Sequence, residues 1–101
     1  MTKVIINGVE HGYCFGYGAM LEFERRTGRD FSIDKSATTA VNVHYSCFKN
    51  GGSTMTFDEV TRALDNPATR QMLDTILTEQ INEWGIIPAN TQGADEVEKK
   101  R

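Results

Sequence analysis

Phe15-Gly16-Tyr17-Gly18-Ala19-Met20-Leu21-Glu22-Phe23-Glu24-Arg25-Arg26-Thr27-Gly28 is the stretch whose reading decides the fold. Here the chain leaves a pattern of period two and enters one of helical period. Tyr17 to Thr27 reads as a first helix, with Met20, Leu21 and Phe23, and Tyr17 one turn earlier, as its apolar stripe. Gly28 stops it, because a left-handed cap favours a residue without Cβ. Arg25 and Arg26 fall in the last turn, where cations meet the negative end of the helix dipole. Gly16 and Gly18 let the chain turn from strand to helix. They lack the further glycine and the lysine that a phosphate cradle requires.

Upstream, Val4-Ile5-Ile6 and Val9 to Phe15 flank Asn7-Gly8, the strongest short hairpin signal, since a type I′ turn needs positive φ twice. With Asn7-Gly8 as the loop, Ile6 faces Val9 and Val4 faces His11. One sheet face then carries Val4, Ile6, Val9, His11, Tyr13 and Phe15, and the other Lys3, Ile5, Glu10, Gly12 and Cys14. The first face is the one for helices to cover.

Downstream, residues 29–37 read as a loop anchored by Phe31 and Ile33. Thr38 to Asn50 reads as a second helix, with Val41, His44, Tyr45 and Phe48 at three- and four-residue intervals and Gly51-Gly52 as its end. Thr56-Phe57-Asp58-Glu59 has capping-box form and opens a short third helix with Phe57, Val60 and Leu64 on its apolar face. Asp65-Asn66-Pro67 restarts the chain as an Asx cap with proline at the first helical position. The fourth helix is the longest: Met72, Leu73, Ile76, Leu77, Gln80, Ile81 and Trp84 keep helical spacing until Gly85 and Pro88 stop it. The expected architecture is α+β, an N-terminal antiparallel hairpin with about four helices packed on it. It forms one domain over residues 1–88, followed by a flexible polar tail over 89–101.

Composition narrows the function. The chain has 101 residues, room for one domain, and Leu, Ile, Val and Phe number 22 of them. That is just above the roughly 20% level below which chains tend to stay disordered, so a partner or oligomer that adds buried surface would be no surprise. A net charge of −3 argues against a dedicated nucleic-acid binder. No apolar run approaches the ~18–20 residues that span a bilayer, and no signal sequence opens the chain. Two cysteines are too few for a disulfide framework, so a reduced cytosolic protein is the simplest reading.

Strand, Asn-Gly turn, strand, then residues 15–28, in that order, resembles the opening of the tail assembly chaperones of long-tailed bacteriophages. Thr56-Phe57-Asp58-Glu59-Val60 before the last helices is similar to an element of the same family. The resemblance covers about residues 4–84. It implies a non-catalytic assembly factor that binds the tape measure protein and helps recruit tail tube subunits, with no cofactor. Its partners would be those two proteins and, in a homo-oligomer, further copies of itself, with no nucleic acid and no membrane.

Other readings stand beside that one. His11-x-x-Cys14 and His44-x-x-Cys47 supply ligand types that zinc accepts, which makes a small zinc-binding module the runner-up. Strand parity argues against it, because residues three apart in a strand point to opposite faces. A homo-oligomeric structural domain is the third alternative. Arg25, Arg26, Arg29 and Lys35 would suit a phosphate, but helix-end compensation and solvation explain them equally well. Cys14 or Cys47 with a histidine has no third residue to orient it as a nucleophile. Trp84, Ile86 and Ile87 are the candidate partner-binding residues. Against that, Trp84 could close the core, with Ile86 folded back on the fourth helix.

Overall fold

The computed structural model describes residues 1–85. Ile86 and Ile87, the domain boundary expected at residue 88 and the tail expected over 89–101 all lie outside the described residues. The architecture is α+β. Strands β1 (Thr2–Ile6) and β2 (Val9–Tyr13) form an antiparallel pair, and helices α1 (Tyr17–Thr27), α2 (Ala37–Asn50), α3 (Phe57–Leu64) and α4 (Pro67–Trp84) follow.

The turn is the one that Asn7-Gly8 specifies. Asn7 has φ 51° and Gly8 φ 79°, and the register pairs Ile6 with Val9 and Val4 with His11. Val4, Ile6, Tyr13 and Phe15 are buried as the alternation requires, while Ile5 on the opposite face is exposed. Val9 departs from the expectation. It belongs to the inner face by parity yet is exposed, because it sits at the hairpin tip.

Helix boundaries follow their local signals. Gly28 and Gly85 cap α1 and α4 in the left-handed region. The Thr56–Glu59 capping box closes in both directions, and Asn66 Oδ1 accepts from the N–H groups of Ala68 and Thr69. The second helix starts one residue earlier than expected, at Ala37, because Ser36 caps it by accepting from the Thr39 N–H.

The apolar stripe expected for α1 is corrected. Ala19 and Phe23 are its buried pair, whereas Tyr17 and Leu21 are exposed. Both pairs are four residues apart, so each defines a helix face, and the faces lie about 200° apart. Sequence alone marks both as apolar. Only the position of α2 selects between them.

Helix α2 runs through the centre, with His44, Ser46, Cys47 and Phe48 all buried. Tyr13, Phe23 and Phe48 are essentially sealed from water. Each contributes about 2–3 kcal/mol by burial, against at most ~1 kcal/mol for a surface ion pair such as Arg62–Asp58. Burial therefore dominates the stability. The outer side of β2 lies against the end of α2: the Cys14 N–H donates to the Cys47 carbonyl (3.0 Å). Gly12 and Gly51 meet backbone to backbone, and a Cβ on either would strike the other residue's main chain.

Helix α4 is tied to the hairpin by Gln80, which is buried. Its Oε1 accepts from the Phe15 N–H (2.6 Å), and its Nε2 donates to the Tyr13 carbonyl (3.1 Å) and to Thr2 Oγ1 (3.0 Å). One side-chain amide thus serves the strand end as a neighbouring parallel strand would, accepting from one residue and donating two residues back.

Candidate functional site

Trp84 lies in the last turn of α4 and is half-buried. Its indole meets two aromatic edges, Phe15 at 5.7 Å and 80° and Tyr17 at 4.7 Å and 81°. Phe15 is buried, whereas Tyr17 is 67% and Leu21 58% exposed. The indole therefore bridges core and surface, and Tyr17 and Leu21 continue it outward along one face of α1. Gly16 lies beside the indole, and Gly18 leaves room for the Asn50 side chain, whose Nδ2 donates to the Cys14 carbonyl.

The interior also holds a polar chain that no local signal announced. The Tyr13 hydroxyl is 2.6 Å from His44 Nδ1, and His44 Nε2 is 2.9 Å from Asp74 Oδ1. An ionised carboxylate only accepts, so Nε2 carries the proton and Nδ1 accepts from the tyrosine O–H. Burial pushes the His44 pKa down, and Asp74 partly offsets it. Burial pushes the Tyr13 phenol well up, so it keeps its proton. The neighbouring Cys47 thiol is pushed up to about 12, again by burial, and is protonated at neutral pH. With Tyr13, His44 and Cys47 sealed from solvent, this chain joins β2, α2 and α4 and presents no nucleophile to a substrate.

The residues weighed for zinc are separated into different roles. His11 bonds Ser53 Oγ through Nδ1 (2.9 Å), and His44 has both ring nitrogens committed. Both cysteines are free thiols. Among the described residues, no three His, Cys, Asp or Glu side chains converge as a metal site would need. The basic cluster is likewise divided. Arg25 pairs with Glu22, Arg29 bonds Thr39 Oγ1, and Arg26 lies against the rings of Tyr45 and Phe57.

No protein-family model, curated protein or solved structure matches this chain. Among the described residues, no helix is long and apolar enough to cross a membrane.

Proposed function

We propose that this chain is a tail assembly chaperone of a long-tailed bacteriophage, a non-catalytic factor acting in the host cytoplasm. It binds the tape measure protein and helps recruit tail tube subunits. The observation that carries the reading is the aromatic corner at the α1–α4 junction, where exposed Tyr17 meets the half-buried Trp84 and exposed Leu21 lies one helical turn on along the same face of α1. Large exposed apolar side chains gathered on one face, with a tryptophan rooted in the core, make a docking surface for an apolar segment of a client. The order of hairpin and helices supports it. Ile86 and Ile87, the other candidate partner-binding residues, follow Trp84 and Gly85 in sequence and lie outside the described residues.

Co-expression with a cognate tape measure protein tests the proposal. The tape measure protein should gain soluble yield and co-purify in a stable complex. Two folded proteins with no complex and no gain in solubility would sink it.

A further inference from the structure

We infer that Arg26 is a preformed fork for a carboxylate, carried by an amphipathic helix of a partner chain. Arg26 stands in the last turn of α1, and its guanidinium carbon is 4.6 Å from the Tyr45 ring centroid and 4.4 Å from that of Phe57. The two rings are 5.5 Å apart at 68°, so they form a notch in which the guanidinium rests. Its Nε donates to Asn42 Oδ1 (3.0 Å), and Asn42 is itself held by donation from Nδ2 to the Thr38 carbonyl (2.9 Å). Rings on α2 and α3 and an anchored amide on α2 thus hold one side chain from α1 in place.

One of five N–H donors is used by that arrangement, and those on Nη1 and Nη2 have no partner among the described residues. The acids of α1 and α3 make contacts elsewhere. Glu22 pairs with Arg25, and Glu24 accepts from the Phe31 N–H. Asp58 pairs with Arg62, and Glu59 accepts from the Thr56 N–H. A planar guanidinium seated in the ring notch and held at Nε, with its Nη donors unbonded among the described residues, matches a carboxylate bidentately and has lost its rotamer freedom in advance.

The half-buried rings beside the fork specify the rest of the occupant. An apolar side chain one helical turn from the acid would lie on Tyr45 and Phe57, which gives a Glu with Leu at i+3 or i+4. A lone lysine or a neutral helix fits the fork less well. That the partner is a client segment rests on the chaperone reading above; the chemistry of the fork does not depend on it.

Two synthetic helical peptides test this, identical except that one carries Glu and the other Gln four residues before a Leu. Titrated into the full chain and followed through the Arg26 Nε–H resonance, the Glu peptide should bind about tenfold more tightly. Arg26→Met keeps the packing against the rings and should abolish the preference. Arg26→Lys keeps the charge without the fork and should lose most of it, and serves alone if Arg26→Met does not fold. Equal binding of the two peptides, or a preference that survives in the folded variants, overturns the inference. So does inorganic phosphate that outcompetes the Glu peptide at equal concentration, since the fork would then serve a free anion. A tape measure complex that forms normally in Arg26→Met while the peptides show no preference refutes the fork alone. A clear peptide preference with no such complex refutes the chaperone reading alone.

Discussion

At the scale of single residues, His44 concentrates the chemistry of the interior. It is held neutral by burial, with Tyr13 donating to one ring nitrogen and Asp74 accepting from the other. Its folded pKa lies below the ordinary 6.5 of the unfolded chain. Folding therefore excludes a proton that the unfolded histidine takes up. The stability this contributes is whole above pH 6.5 and is lost as pH falls from there through the folded value. Urea midpoints measured between pH 7.5 and 5.5 should decline toward acid. Asp74→Asn keeps an acceptor but removes the charge that holds His44 up, so the decline should steepen. A flat profile in both proteins would show that the ring is not the titrating group. Sequence reasoning placed His44 on an apolar face, but Asp74 carried no signal, because its partner is thirty residues away.

The element scale is best seen along α2, where two small residues, one within the helix and one at its cap, should respond in opposite directions. Ser46 is buried and its hydroxyl has no hydrogen-bond partner among the described residues. Ser46→Ala removes a desolvated group without opening a large space, so stability should hold or rise by up to ~1 kcal/mol. Gly51 ends the same helix where the backbones of Gly12 and Tyr13 pass. Gly51→Ala sets a methyl against main chain, which cannot move as a flexible side chain would, and should cost about 1–3 kcal/mol. Chemical denaturation of both variants checks the pair, and equal shifts would contradict the contact geometry. The Gly51-Gly52 stop was legible in the sequence. The reason that Gly51 in particular is small was not, because it lies in a strand thirty-nine positions upstream.

Over the whole molecule, the decisive question is how far the aromatic corner belongs to the core and how far to a binding surface. Trp84 is half-buried, edge-on to one buried and one exposed ring, so Trp84→Ala should cost about 2–3 kcal/mol, less than a fully enclosed indole would. Tyr17→Ser with Leu21→Ser touches mostly exposed surface and should leave the unfolding midpoint within about 0.5 kcal/mol of the parent. The double variant should nevertheless lose the tape measure complex in a pull-down. A double variant that unfolds would make these side chains part of the core. One that is stable and still binds would move the client to another face.

Local chemistry by itself determined the hairpin and its register, the extent of the first helix, both left-handed glycine caps, the capping box at Thr56 and the proline start of the fourth helix. These signals act over two to four residues, so a linear reading contains all of the interacting groups. Tertiary structure alone decided which of two apolar faces of α1 turns inward, that Gln80 stands in for a missing strand, and that Arg26 rests between Tyr45 and Phe57. Each of those outcomes depends on a partner brought close by packing. Helical periodicity marks both Ala19–Phe23 and Tyr17–Leu21 as apolar, and only the place where α2 comes to lie buries one pair and leaves the other at the surface.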